Sequence, residues 1–157
     1  MVIVKDLMKE NYYSIGEQEK VRDLLMLFVE KQISGVPVVS KDQTLVGMIS
    51  DADILRQIQQ PPSFIDFMTY LVVLDSEKVM TEQIKEMLDK PVKDLMTKSV
   101  VTVEEDTDVA TVAQILSRRK FKKLPVVQGK KIVGIISRSD VIRRLVQEFL
   151  KKSETLT

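Results

Sequence analysis

The sequence predicts an α+β protein made of two copies of one strand-helix-strand-strand-helix unit, and two observations carry that prediction. The first is an internal repeat. Val4-Lys-Asp-Leu-Met8 recurs letter for letter as Val92-Lys-Asp-Leu-Met96, and the same offset aligns Glu17 with Glu105, Val21 with Val109 and Pro37-Val-Val39 with Pro125-Val-Val127. One position is then lost, so that Val46-Gly-Met-Ile-Ser-Asp-Ala-Asp-Ile-Leu-Arg56 falls on Val133-Gly-Ile-Ile-Ser-Arg-Ser-Asp-Val-Ile-Arg143. The second is that short apolar β-prone runs and a helical apolar stripe follow one another in the same order in both copies.

Each copy opens with a short β-prone run, Tyr12 to Ile15 or Val100 to Val103, followed by acidic and polar residues that suit a helix start. A helix is expected next. Val21, Leu24, Leu25, Phe28 and Val29 fall at i, i+3, i+4, i+7 and i+8, and Val109, Val112, Ala113 and Leu116 repeat the stripe. Two strands come after it, Val36 to Val39 and Leu45 to Ile49 in one copy, Leu124 to Val127 and Ile132 to Ile136 in the other. The lost position sits in the turn between them, Ser40-Lys-Asp-Gln-Thr44 against Gln128-Gly-Lys-Lys131. A second helix starts near Ser50 or Ser137 and closes each unit. An insert, Gln57 to Lys90, lies between the copies; Pro61-Pro62 breaks the preceding helix and Asp75-Ser76 divides two further helical stretches. Its apolar Phe64 to Leu74 run surrounds the helix, which suits packing between the repeats or against a second copy of the chain. The organisation expected is therefore 1–60 as the first repeat, 61–90 as a helical insert and 91–157 as the second repeat.

Composition narrows the chemistry. The 157 residues are 44% hydrophobic and 30% charged, with a formal charge of +1. That is a globular composition without the global field needed to hold nucleic acid or an anionic membrane. No secretory segment or span-length apolar run is seen, so a cytoplasmic location is expected. The absence of Cys and His removes disulfides, thiol nucleophiles, thiolate or imidazole metal sites and the histidine general base. An enzyme is not expected, because no nucleophile, base and orienting group stand out together.

Gly47-Met-Ile-Ser50-Asp-Ala-Asp53 and Gly134-Ile-Ile-Ser137-Arg-Ser-Asp140 are the candidates for specific chemistry. Ser at a helix N-cap with an acid three residues later resembles a capping box, which satisfies orphan N–H groups and needs no ligand. The same arrangement suits binding: Gly brings main chain close, the helix start attracts anions, and a carboxylate can accept both hydroxyls of a ribose. Both readings stand.

The paired units, the Val-Pro-Val-Val and Leu-Pro-Val-Val strands, the Asp-Leu-Met starts and the two Gly-x-x-Ser-x-x-Asp segments together resemble a tandem pair of CBS domains, the Bateman module, over Val4 to about Leu150. The resemblance implies β-α-β-β-α repeats packed with pseudo-two-fold symmetry and clefts between them that bind AMP, ADP, ATP or S-adenosylmethionine as a regulatory ligand. By that resemblance the Ser50 to Asp53 and Ser137 to Asp140 segments bind the ligand, with Asp53 or Asp140 holding the ribose. Tyr13 and Ser14, or Val101 and Thr102, then line the base and phosphate with Ser34, Gly35, Val36 and Pro37, or Lys122, Lys123, Leu124 and Pro125. If each cleft joins the Ser-x-x-Asp of one copy to the pre-proline loop of the other, Ser50 and Asp53 face Lys122 and Lys123, and the clefts are unequal. The basic run Arg118-Arg-Lys-Phe-Lys-Lys123 reads as solvated cations at a helix end, as phosphate capture or, least of all, as a nucleic-acid footprint. A homodimer is expected, with no membrane or required cofactor and an unnamed regulated protein. The alternative to a ligand-binding module is a constitutive scaffold whose Ser-x-x-Asp segments only cap helices.

Overall fold

The computed structural model describes residues 1–58, 76–118 and 121–155. The Phe64 to Leu74 run and Pro61-Pro62 lie outside the described residues. The order is β1 (Ile15–Gly16), α1 (Val21–Lys31), β2 (Gly35–Val39), β3 (Leu45–Ser50), α2 (Asp51–Ile58), α3 (Ser76–Asp89), β4 (Val103–Glu104), α4 (Val109–Leu116), β5 (Lys123–Gln128), β6 (Lys131–Ser137) and α5 (Arg138–Thr155). Short 3-10 turns, Val4–Asp6 and Val92–Asp94, form at the two Val-Lys-Asp-Leu-Met segments. The strands make two three-stranded sheets, ordered β1-β2-β3 and β4-β5-β6.

The chain divides into two compact units that do not follow the repeats. One holds Ser14–Asp42 and Val46–Ser99; the other holds Met1–Tyr13, Gln43–Leu45 and Val100–Thr157. Each unit thus takes the body of one repeat and the opening segment of the other. In the first, the N–H groups of Val92 and Lys93 donate to the carbonyls of Glu19 and Glu17, at 2.7 and 3.0 Å. In the second, the N–H groups of Val4 and Lys5 donate to the carbonyls of Thr107 and Glu105, both at 2.9 Å.

Each unit has its own core. Val21, Leu24, Phe28, Val36, Val38, Ile49, Ile54 and Met87 close around Val92 and Leu95 in one. In the other, Val103, Val112, Leu116, Leu124, Val126, Ile136 and Val141 close around Val4. The α1 stripe is narrower than its spacing predicts: Val21, Leu24 and Phe28 are buried, whereas Val29 is 79% exposed. The first strand of each unit is also displaced towards the helix, to Ile15–Gly16 and Val103–Glu104. Only Val38 and Val39, or Val126 and Val127, pair with it in parallel. This short pairing accommodates the prolines. Pro37 and Pro125 lack an N–H, and each precedes the stretch of its strand that β1 or β4 reaches. The lost position falls where expected, since β5 and β6 are joined by Gly129 and Lys130 alone, with Gly129 at φ +64°. That left-handed backbone favours glycine in a tight hairpin.

The helix starts differ between the repeats. Lys20 precedes α1 and gives no side-chain cap, whereas the Asp108 carboxylate accepts the Thr111 N–H at 2.9 Å and the Thr111 hydroxyl at 2.5 Å. The Thr111 hydroxyl first, then its N–H, holds the Asp108 carboxyl below the usual carboxylate range. A carboxyl depressed in the folded state stabilises above its unfolded pKa, and that contribution is lost as pH falls through the folded value. Asp108→Asn keeps a capping oxygen and removes the charge. It should therefore melt below the parent at pH 6, with the gap narrowing as pH falls below the usual carboxylate range; a gap that does not change with pH contradicts this.

Candidate functional site

The two Ser-x-x-Asp segments sit at equivalent places, each at the end of an outer strand where the chain turns into a helix. Asp53 and Asp140 are 7% and 5% exposed, the two buried charged residues among those described. A buried carboxylate costs stability unless its oxygens are matched. One oxygen is matched locally. Asp53 Oδ2 accepts the Ser50 N–H at 2.8 Å and the Ser50 hydroxyl at 3.3 Å, and Asp140 Oδ2 accepts the Ser137 N–H at 2.9 Å and hydroxyl at 2.8 Å. In the second unit the Asp140 N–H returns a 3.4 Å contact to the Ser137 hydroxyl oxygen. This is the geometry of a capping box with Asp at its third position.

The other oxygen faces three-residue and long-range partners. Asp53 Oδ1 pairs with Arg56 and accepts the Thr97 hydroxyl at 3.4 Å. Asp140 Oδ1 lies 3.6 Å from Arg143 Nη1 and 3.5 Å from Lys9 Nζ. The arginines are equivalent in the repeat. Lys9 and Thr97 also occupy equivalent positions, directly after the duplicated methionines, but one is a cation and the other a neutral hydroxyl.

Glycine explains how position 9 or 97 reaches its carboxylate. The Thr97 N–H donates to the Met48 carbonyl at 2.8 Å and the Met48 N–H donates back at 3.0 Å; Lys9 and Ile135 exchange the same pair at 2.8 and 3.0 Å. The opening segment therefore lies along the outer edge of β3 or β6, over a glycine. A Cβ on Gly47 would stand 2.6 Å from Met96 Sδ and 2.9 Å from the Thr97 carbonyl oxygen; one on Gly134 would stand 2.8 Å from Met8 Sδ and 3.1 Å from the Lys9 carbonyl oxygen. These glycines make room for the opening segment's methionine and main chain.

The remaining residues named from sequence fall into two groups. Ser34 is exposed and Gly35 half-buried, and they adjoin the Ser-x-x-Asp of their own repeat: the Asp51 N–H donates to the Ser34 carbonyl at 2.9 Å. Lys122 is exposed and Lys123 half-buried, and the Arg138 N–H donates to the Lys122 carbonyl at 3.2 Å. Val36, Pro37, Leu124 and Pro125 are buried, with Val36 and Leu124 inside the two cores. Tyr13, Val101 and Thr102 are exposed and Ser14 half-buried. In the basic run, Phe121 packs against a core, and Arg119 and Lys120 lie outside the described residues. Sequence reasoning missed Lys9, Thr97, Arg56 and Arg143. The arginines follow each Asp by three, a spacing that places them together on a helix; nothing local links Lys9 to Asp140.

Among the described residues no helix is long and apolar enough to cross a membrane. Adding a methyl group at Gly47 or Gly134 forces main chain apart as well as a flexible sulfur. Gly47→Ala should cost about 1–3 kcal/mol, and Gly134→Ala less, because its backbone contact is 0.2 Å longer (3.1 against 2.9 Å). Urea unfolding of both variants checks the order, and unchanged midpoints would remove the close-approach account.

Comparison with known proteins agrees with this architecture. The CBS domain family model matches residues 4–60 and again 92–147. The uncharacterized protein MJ1426 of Methanocaldococcus jannaschii is 32% identical, covering 93% of this chain and 92% of its own length. The chloroplastic CBS domain-containing protein CBSX1 of Arabidopsis thaliana is 35% identical over 88% of this chain, which spans 61% of that protein. Two solved structures of CBSX2, from the same plant, superpose with TM-scores of 0.70 and 0.72 at 31% and 32% identity, covering 92% of this chain and 96% and 94% of theirs; the first is a complex with AMP. With the repeat, both sheets and both family matches in register, the chain belongs to the CBS-domain family and carries a tandem pair of CBS domains.

Proposed function

We propose that this chain is a non-catalytic regulatory module that binds an adenosine-containing ligand, AMP, ADP, ATP or S-adenosylmethionine, through Ser50 and Asp53 or Ser137 and Asp140. The observation that carries the proposal is the split role of each buried carboxylate. Oδ2 is held by its own serine and helix start, which fixes the group, while Oδ1 faces long, exposed or hydroxyl-bearing side chains that can yield to a ligand. A carboxylate so held can accept the two hydroxyls of a ribose with little reorganisation. The AMP complex of a relative at 31% identity supports the adenosine class. An adenosine ligand at a hundred times its dissociation constant adds about 2.7 kcal/mol, a rise in melting temperature of about 5 to 10 °C for a chain of this size. A flat melting curve across millimolar AMP, ADP, ATP and S-adenosylmethionine would favour a second reading, a scaffold in which both segments serve only as caps. The capping geometry around Ser137 is the observation on that side.

The same module is proposed to work as a homodimer. On α5, Ile142, Leu145, Val146, Phe149 and Leu150 follow helical spacing and each exposes more than half its surface. Such a stripe is usually covered by a partner, and homo-oligomers favour two-fold symmetry. Light scattering at tens of micromolar should give twice the chain mass, and Phe149→Glu should halve it; a monomer before substitution refutes the dimer.

A further inference from the structure

The two carboxylate sites differ in a way that the repeat hides. Around Asp53 and Asp140 three partners are conserved between the units in kind: the serine N–H, the serine hydroxyl and the arginine three residues on. The fourth is not. Lys9 Nζ lies 3.5 Å from Asp140 Oδ1, where Thr97 presents a hydroxyl 3.4 Å from Asp53 Oδ1. The surroundings lean the same way. The residue after the serine is Arg138 in one unit and Asp51 in the other, and the pre-proline pair is Lys122-Lys123 against Ser34-Gly35.

Arg138 is already engaged. Its Nε and Nη2 donate to the Leu116 and Arg118 carbonyls at 2.8 and 2.9 Å. Lys9 is freer to exchange partners, since its side chain is 56% exposed and holds Asp140 by a single 3.5 Å contact. A ligand hydroxyl donating to Oδ1 takes the ammonium's place there while Arg143 still faces the carboxylate, and the freed ammonium then stands beside the ligand. It is a compact point charge on a flexible stem, suited to a phosphate. At the other site the same exchange frees only the Thr97 hydroxyl, which has no charge to offer.

We infer that Lys9 is a specificity-determining residue: it makes the Asp140 site select a phosphorylated adenosine over the bare nucleoside, while Thr97 leaves the Asp53 site with little preference between them. This rests on the adenosine reading above. Bonds to charged groups are stronger than neutral ones, and exposure of the lysine trims the gain, so the AMP-to-adenosine affinity ratio at the Asp140 site should be about five- to tenfold the ratio at the Asp53 site.

Calorimetric titration of the full chain with AMP and with adenosine decides it, using Asp53→Ala to leave one site and Asp140→Ala to leave the other. With Asp53→Ala present, Lys9→Thr should lower the AMP-to-adenosine ratio about five- to tenfold, Lys9→Arg should retain it, and higher salt should erode it. With Asp140→Ala present, Thr97→Lys should raise the ratio. Should either aspartate variant fail to fold, Lys9→Thr alone still tests the ratio by competition of AMP against adenosine. Equal weakening of both ligands by Lys9→Thr would make Lys9 a structural anchor and overturn the inference, as would an unchanged ratio. If the unsubstituted chain binds neither compound, this inference falls; the adenosine reading falls with it only when the melting curve is also flat across AMP, ADP, ATP and S-adenosylmethionine.

Discussion

The close approach of a methionine to a strand glycine is the constraint on which the rest of the structure depends. Met96 over Gly47 and Met8 over Gly134 seat each opening segment against the outer strand of a sheet. That seating closes the strand edge with paired main-chain bonds and completes each core with Val92 or Val4. It also delivers Thr97 or Lys9 to a buried aspartate that would otherwise face solvent on one side. A side chain at the glycine would strain the edge, the core and the fourth partner of the carboxylate together.

The aspartates show how one group can cap a helix and still be available. Burying a carboxylate is tolerable when each oxygen is matched, and here the two oxygens are matched by different means. Oδ2 is held by the backbone and hydroxyl of a neighbouring serine, within one turn. Oδ1 depends on side chains that are themselves largely exposed, Arg56 at 65% and Lys9 at 56% among them. Capping is therefore confined to one oxygen of the residue, and the capping box gives the outward oxygen a fixed aim.

Much of the fold was legible because its signals are local. The turn that absorbs the lost position, the Val-Pro-Val-Val and Leu-Pro-Val-Val strands and the Ser-x-x-Asp helix starts are each written within a dozen residues, and the repeat shows each of them twice. Val29 was misplaced because helical spacing says which residues share a face, and not how wide a face the neighbours cover. Tyr12 illustrates a second limit: a β-prone residue in the expected first strand instead donates its hydroxyl to the Ile132 carbonyl at 3.2 Å. The exchange of opening segments was illegible for a deeper reason. Two identical Val-Lys-Asp-Leu-Met copies fit either body, and only the assembled chain shows which one each occupies. The partners of Asp53 and Asp140 that come from those segments were hidden with it.

That exchange sets an order of events during synthesis. The body of the first repeat is complete once Ile58 has been made, yet the outer edge of β3 stays uncovered until Met96 and Thr97 follow. Val4 to Lys9, made first, finds its carbonyl partners only when Glu105, Thr107 and Ile135 exist. Pairings so far apart in sequence form late, because the intervening chain must be closed into a loop before any contact rewards it. Until then the growing chain carries an open, apolar strand edge, the feature most prone to pair with another chain.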